Sequence, residues 1–134
     1  TMGFGFPAAL GAKIGSPKKD VVCITGDGGF QMNMQEMATA IVNSLPITIC
    51  LINNNNLGMV RQMQTLFYGK RYEATCLRRR VGCPPNCKGS NDACPPYVPD
   101  FVKLMDAYGA HGIRVDSADD IIPASDGKGR ESDE

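Results

Sequence analysis

The sequence of 134 residues lacks several features that would assign it quickly to a functional class. No apolar run approaches the ~20 residues that cross a bilayer, and no stretch resembles a signal peptide. The 14 basic and 14 acidic residues cancel, which argues against a general role in binding nucleic acid or a membrane surface. No Gly-Lys-Ser/Thr sequence occurs, which excludes a phosphate-binding P-loop. We therefore expect a cytoplasmic domain, or an excised piece of one.

Two short polar motifs follow two strand-like segments. Residues 21–25 (Val-Val-Cys-Ile-Thr) lead into Gly26-Asp27-Gly28-Gly29, and residues 47–52 (Ile-Thr-Ile-Cys-Leu-Ile) lead into four asparagines, 53–56. Apolar runs of this kind suit strands that are buried on both faces of a parallel sheet. Together with the amphipathic segment between them they form one βαβ unit of roughly thirty residues. The sequence therefore predicts an α/β fold, a parallel sheet with helices on both faces.

The two polar motifs are expected to meet. In a βαβ unit both strands end at the same edge of the sheet, where open α/β sheets bind ligands. Asp27 and Asn54 are therefore predicted to point into one crevice. A carboxylate, an amide oxygen and nearby carbonyls suit Mg²⁺, which takes few protein ligands together with phosphate oxygens. A plain strand-to-helix turn is the alternative for residues 26–29, but it does not explain the asparagines.

The remaining helices are predicted from caps and spacing. Pro7 opens a helix over 8–14, and Asn33 with Glu36 resembles a capping box. Further helices are expected over 58–68 and 101–108, a strand over 111–115 and another helix start at Ser117. The helix after Asn33 carries apolar residues at the spacing of a core-facing stripe, namely Met34, Met37, Ala38, Ile41 and Val42.

The glycines near the start also match a different motif. Gly3-x-Gly5-x-x-Ala8 fits the dinucleotide-binding fingerprint formally. That fingerprint requires a preceding strand, and no strand precedes it in this sequence. We therefore do not favour this interpretation.

Four cysteines, Cys76, Cys83, Cys87 and Cys94, lie in a Cys- and Pro-rich segment, 75–99. Their spacing leaves six, three and six residues between them and lacks C-x-x-C pairs. A Zn²⁺ or other metal clip and a set of unligated thiols both stay open, whereas a reducing cytosol argues against disulfides. Cys23 and Cys50, within the predicted strands, are expected to be small core residues.

The motifs resemble a known family. The pair Gly-Asp-Gly and Asn-Asn resembles the diphosphate-binding signature of thiamine-diphosphate (ThDP) enzymes. Residues 1–9 (TMGFGFPAA) and 57–72 (LGMVRQMQTLFYGKRY) resemble the acetolactate synthase (acetohydroxyacid synthase) large subunit. The likeness runs from residue 1 to about 75 and resumes from about 100 to 115. It implies a truncated ThDP-binding fold.

The resemblance implies roles for individual residues. Asp27 and Asn54 would bind Mg²⁺ through side-chain oxygens, and Asn56 through its backbone carbonyl. Met59, Val60 and Met63 would line the substrate pocket, and many relatives carry tryptophan at the position of Met63. The resemblance places these further residues at the cofactor: Met2, which would prop the thiazolium ring, Gly26, Gly28, Gly29, Leu57, Gly58 and Met59.

The resemblance also implies a reaction. Such enzymes use ThDP and Mg²⁺ to decarboxylate pyruvate and join it to a second 2-ketoacid, pyruvate or 2-ketobutyrate. The product is 2-acetolactate or 2-aceto-2-hydroxybutyrate, in branched-chain amino-acid biosynthesis. The full-length relatives form a homodimer or tetramer, bind FAD and usually associate with a small regulatory subunit. Their activating glutamate lies in another domain, so that no catalytic residue is expected in this fragment, which should be inactive alone.

The predicted organisation is a ThDP/Mg-binding domain fragment over 1–115, with 75–99 as an inserted loop, and a polar tail over 116–134 that we expect to be disordered. Two other functions stay open. One is a different ThDP-dependent 2-ketoacid decarboxylase or oxidase. The other is a non-catalytic metal-binding module built on the cysteine loop.

Overall fold

The computed structural model describes residues 1–78, 81–83, 94 and 99–125. The chain forms two compact units, Thr1–Val98 and Pro99–Glu134. The elements follow in the order α1 (Gly5–Gly15), β1 (Val22–Gly26), α2 (Asp27–Gln31), a 3-10 turn (Met34–Glu36), α3 (Met37–Val42), β2 (Thr48–Ile52), α4 (Gly58–Phe67), α5 (Phe101–Ala107), a second 3-10 turn (Ala118–Asp120) and α6 (Ile121–Ser125).

The two strands form the predicted parallel pair. Val22 lies opposite Thr48, and Gly26, the last residue of β1, lies opposite Ile52, the last residue of β2. The residues that follow, Asp27 and Asn53, therefore leave the sheet side by side. The α/β class with a parallel sheet and helices is confirmed, and so is the meeting of the two polar motifs at one edge of the sheet.

Within the described residues, one face of β1 is well covered and the other is not. Cys23 is buried, whereas Val22 and Ile24, which point to the opposite face, are exposed. Cys50 of β2 is also exposed. The expectation of burial on both faces thus holds for one face here, and the expectation that Cys50 is a core residue is wrong. An apolar sequence pattern shows that both faces of a strand can be buried. Whether a face is buried depends on the segments that pack against it.

The core lies on the covered side of the sheet. Phe6 of α1 and Phe30 of α2 pack with ring centroids 5.5 Å apart and planes tilted by 56°, an arrangement in the favourable range for aromatic pairs. The buried apolar residues are Phe6, Ala9, Leu10, Cys23, Phe30, Met37 and Ala40. The helix after β1 is therefore held against α1 by aromatic packing.

The predicted capping box at Asn33 does not form. The first helix after β1 starts earlier, at Asp27, and the Asn33 side chain caps nothing. Its amide Nδ2 instead donates to the Gly3 carbonyl at 2.6 Å, while the Glu36 carboxylate accepts from the Thr39 hydroxyl. The Asn33 side chain thus bonds to a carbonyl thirty residues away in the sequence instead of capping a helix. No local sequence pattern predicts such a bond.

The predicted apolar stripe is also shifted. Met37 and Ala40 are buried, but Ala38, Ile41 and Val42 are exposed. The 3-10 turn Met34–Glu36 precedes α3 (Met37–Val42) and has three residues per turn instead of 3.6. The segment therefore does not follow the regular α-helical spacing on which the predicted stripe was based.

The second unit contains α5 and α6. The Asp100 carboxylate caps α5 by accepting from the Lys103 amide, and Ser117 caps the second 3-10 turn, as predicted. Residues 111–115 do not form a strand, because extended propensity becomes a strand only where a partner completes the ladder. Residues 118–125 are helical; residues 126–134 lie outside the described residues, so a disordered tail stays a prediction.

Helices α1 and α4 agree with the predicted segments to within a few residues. None of the helices in the described part of the chain has the length and apolar character needed to cross a membrane.

We expect the two strand cysteines to react very differently with iodoacetamide. Cys23 is 4% exposed, and burial raises the pKa of its thiol, which keeps the reactive thiolate scarce. Cys50 is exposed and should be alkylated first, with peptide mapping by mass spectrometry as the measurement. Equal alkylation rates of Cys23 and Cys50 in the folded chain would contradict the expected difference in reactivity.

The raised pKa of Cys23 also has a consequence for stability, because it opposes ionisation of the thiol in the folded chain. The stability that the protonated thiol contributes is present at neutral pH and is lost as the pH rises through that pKa.

Candidate functional site

Asp27 is a buried carboxylate at the end of β1. Its residue is 2% exposed, and its Oδ1 accepts a hydrogen bond from the Gly28 amide at 2.8 Å. Oδ2 is buried and has no hydrogen-bond partner in the part of the chain that the structure describes. A buried carboxylate oxygen without a partner is costly, so that Asp27 is arranged to accept a cation or a donor from outside.

Gly28 brings three segments together next to Asp27. A Cβ built on Gly28 would lie 2.6 Å from Leu57 Cδ2, 3.4 Å from Met2 Cε and 3.6 Å from Leu77 Cδ1. Met2, Leu57 and Leu77 therefore approach Gly28 because it has no side chain. This contact places Met2 and Leu57, both predicted from the resemblance to lie at the cofactor, beside the buried carboxylate.

The asparagine loop is ordered by its own side chains. Asn54 Oδ1 accepts from the Asn56 amide at 2.9 Å, and Asn56 Nδ2 donates to the Asn54 carbonyl at 2.7 Å. Asn55 between them has φ of 58°, which asparagine tolerates well. Asn54 is exposed and Asn56 half-buried. Because a carbonyl oxygen has two lone pairs, Asn54 Oδ1 can still bind a metal ion.

The segment 75–77 holds this loop from one side. The Leu57 amide donates to the Thr75 carbonyl at 2.8 Å, and the Leu77 amide donates to the Asn55 carbonyl at 2.9 Å. These bonds flank an antiparallel pair formed by Asn56 and Cys76. Thr75 and Leu77 were not predicted as site residues, since a three-residue segment that pairs through tertiary contacts leaves little local signal.

Gly26 and Gly29 also belong to this edge of the sheet. Gly26 is the extended last residue of β1, and a Cβ on Gly29 would lie 3.2 Å from Thr25 Oγ1. Gly58 begins α4, and a Cβ there would lie 3.2 Å from Asn54 Nδ2. Gly28, Gly29 and Gly58 thus sit where other atoms approach the backbone closely, whereas the nearest atom to a Cβ on Gly26 would be the Ile52 carbonyl oxygen at 3.9 Å.

The predicted substrate-pocket residues lie on α4. Met59, Val60 and Met63 are exposed, and the spacing of Met59 and Met63 puts them on one side of the helix. The structure therefore presents them to solvent rather than packing them against Asp27. Their role in a pocket stays a prediction.

The cysteine segment is only partly described. Cys76, Cys83 and Cys94 are half-buried, and Cys87 lies outside the described residues. Within those residues, no group of three or more His, Cys, Asp or Glu side chains is arranged to hold a metal ion. The zinc prediction, which needs Cys87, stays untested.

The geometry fits Mg²⁺ at Asp27. The donors at this edge are a carboxylate, amide oxygens and backbone carbonyls, and hard oxygen atoms are what Mg²⁺ prefers. The buried Asp27 Oδ2 supplies the charge, and the cation would supply the partner that this oxygen lacks in the described chain.

A family model for the C-terminal TPP-binding domain of thiamine pyrophosphate enzymes matches residues 1–127. The chain belongs to this family. Thiamine pyrophosphate is ThDP, so that the match identifies the edge carrying Asp27 and the asparagines as part of a TPP-binding domain.

The chain is similar to acetolactate synthase large subunits. It is 51% identical over 124 residues to the acetolactate synthase large subunit of Corynebacterium glutamicum, covering 92% of this chain and 18% of that protein. It is 46% identical to a probable acetolactate synthase large subunit of Methanococcus aeolicus, with the same coverage of both chains. The TPP-binding domain thus spans about a fifth of the length of these relatives.

A solved structure supports the fold. The thiamine diphosphate-dependent 4-hydroxybenzoylformate decarboxylase of Rhodococcus jostii RHA1 superposes with a TM-score of 0.68 at 27% identity. The superposition covers 92% of this chain and 20% of that one. The truncated TPP-binding fold is therefore confirmed.

Replacing Asp27 by asparagine should separate metal binding from folding. Without metal, the Tm should not fall, because an unpaired buried charge is replaced by a neutral group of the same shape. With Mg²⁺ and ThDP, the parent should be stabilised by about 1.4 kcal/mol at ten times Kd, a rise of a few degrees in Tm, and Asp27→Asn should show no rise. Exposed Asp20 provides the control Asp20→Asn, which should behave as the parent. Equal rises for the parent and Asp27→Asn would contradict the assignment.

A second substitution tests the contact at Gly28. Gly28→Ala should destabilise the chain by about 1–3 kcal/mol, because its Cβ would collide with Leu57 Cδ2. Gly28→Ala combined with Leu57→Ala should cost less than the sum of the two single changes, measured by urea unfolding. Gly11→Ala is the control, since nothing lies within 4 Å of a Cβ there, and it should stabilise α1 by roughly 0.5–1 kcal/mol. If the changes in unfolding free energy of the two single variants simply added in the double variant, the Leu57 side chain would not be in contact with the position of the Gly28 Cβ.

Proposed function

We propose that the chain is the diphosphate- and Mg²⁺-binding part of an acetolactate synthase large subunit. The observation that carries the proposal is the buried Asp27 Oδ2, which has no partner in the described residues and lies at the strand end of a TPP-binding domain. Asp27 and Asn54 would bind Mg²⁺ through their side chains and Asn56 through its carbonyl. Bound ThDP supplies the carbanion chemistry at the reacting carbon.

The contributions of the chain itself are binding and orientation. Met2 and Leu57, whose side chains both lie close to Gly28, would form the apolar wall against the cofactor, with Met2 as the prop of the thiazolium ring. Gly26, Gly29 and Gly58 would let the cofactor approach the backbone. The Gly28 amide donates to Asp27 in this structure, which orients the carboxylate.

The substrates would be 2-ketoacids. Identities of 42–51% to acetolactate synthases, against 27% to the decarboxylase of known structure, favour condensation of two ketoacids over a simple decarboxylation. Pyruvate would be the donor, with pyruvate or 2-ketobutyrate as acceptor, at a wall formed by Met59, Val60 and Met63. The whole protein would be a cytoplasmic homodimer or tetramer with FAD and a small regulatory subunit.

The 134-residue chain is expected to bind ThDP without turning over pyruvate. It offers one end of the cofactor site, so that a near-millimolar Kd, ~4 kcal/mol of binding free energy, is expected. A missing proton-transfer group elsewhere in the cofactor site would remove a factor of ~10²–10⁴ in rate. Calorimetric titration with ThDP should show binding with Mg²⁺ and none with EDTA, and a colorimetric assay should find no acetolactate. Binding independent of metal, or turnover by this chain, would contradict the proposal.

A further inference from the structure

The side chain of Gln64, on α4, bonds to the segment that pairs with the asparagine loop. Its Nε2 donates to the Glu73 carbonyl at 2.9 Å, and its Oε1 accepts from the Glu73 amide at 3.3 Å. The amide group thus pairs with the Glu73 backbone in both directions. The Thr75 hydroxyl donates to the same Oε1 at 3.4 Å, and Thr75 is 2% exposed. Gln64 therefore fixes the backbone that leads into residues 75–77.

That backbone sets the direction of the Asn56 carbonyl. The bonds Leu57 to Thr75 and Leu77 to Asn55 bracket the Asn56–Cys76 pair. In an antiparallel pair bracketed in this way, the amide and carbonyl of the central residue point away from the partner segment. The Asn56 carbonyl is consequently turned away from residues 75–77, and a shift of that segment would re-aim it.

Other contacts between α4 and this segment do not involve Gln64. The Arg61 guanidinium lies 3.7 Å from the centroid of the Tyr72 ring, and the Tyr72 hydroxyl lies 3.2 Å from Thr65 Oγ1. These contacts hold Tyr72 on the helix without Gln64. Loss of the Gln64 amide should therefore loosen residues 73–77 without detaching the whole segment.

We propose that Gln64 is a positioning residue for the metal ion, acting through residues 73–77 on the Asn56 carbonyl. The inference rests on the proposed function, because it concerns the same Mg²⁺ site. Gln64 is not expected to touch the metal or ThDP.

The choice of metal distinguishes positioning from general stability. Mg²⁺ demands near-ideal octahedral geometry, whereas Ca²⁺ accepts six to eight oxygen ligands in flexible arrangements. A misdirected carbonyl should therefore weaken Mg²⁺-supported binding more than Ca²⁺-supported binding. A loss of folded protein would weaken both equally.

The first measurement is amide hydrogen exchange of Leu57 and Leu77 without cofactor. Gln64→Glu keeps the shape but loses the donor to the Glu73 carbonyl, so that exchange at both amides should rise by about three- to tenfold. Gln62→Glu introduces the same charge at an exposed position of the same helix and should leave both rates unchanged. Unchanged exchange in Gln64→Glu, or equal acceleration in Gln62→Glu, overturns the inference.

The second measurement is calorimetric titration of the chain with ThDP in Mg²⁺ and in Ca²⁺. Gln64→Glu should lower the ratio of Mg²⁺- to Ca²⁺-supported affinity by about three- to tenfold, while Gln62→Glu keeps the parental ratio. Should Gln64→Glu not fold, Thr75→Val removes the third hydrogen bond alone and should shift the ratio in the same direction. If the folded Gln64→Glu variant keeps the ratio of Mg²⁺- to Ca²⁺-supported affinity of the unsubstituted chain, the inference on Gln64 is contradicted and the proposed function is not. If the unsubstituted chain binds ThDP with neither metal, both the proposed function and the inference are contradicted.

Discussion

The site depends on one buried carboxylate, that of Asp27. The parallel pairing of β1 with β2 brings Asp27 and Asn53 to the same edge, and the start of α2 buries the carboxylate there. One of its oxygens is held by the next amide, and the other has no partner among the described residues. Burial of a charge is tolerable when an opposite charge completes it, so that the fold carries at this point a cost that a bound cation would offset.

The neutral ligands of the proposed metal site are oriented differently, by hydrogen bonds within the loop and its pairing segment. Asn54 and Asn56 bond to each other across Asn55, whose φ is positive, and residues 75–77 pair with the loop. Ordering a loop at the moment of binding costs conformational entropy. Because these bonds are made within the chain itself, they restrict the backbone of the loop, and weak neutral ligands become useful beside a single charge.

Local patterns predicted the strands and the edge of the sheet, but not the contacts that hold the loop. The apolar runs and the polar residues after them are local signals, and they were enough to predict that Asp27 and the asparagines follow the strands at the same edge of the sheet. The bond from Asn33 to Gly3 and the support from Gln64 and Thr75 join distant segments, and a capping-box pattern even indicated a different partner for Asn33. The strand expected at 111–115 did not form, since propensity cannot supply a pairing partner.

Two adjacent sides of helix α4 have different surroundings. Successive residues of an α-helix are rotated by about 100°, so that Gln64 faces residues 73–75 while Met63 beside it is exposed. Under the proposed function, the side chain at position 63 forms part of the acceptor wall, and the side chain at position 64 supports the metal loop. Under that proposal, neighbouring residues would act on different steps of recognition. A change at position 63 would then alter which ketoacid is accepted without moving the carbonyl proposed to bind the metal.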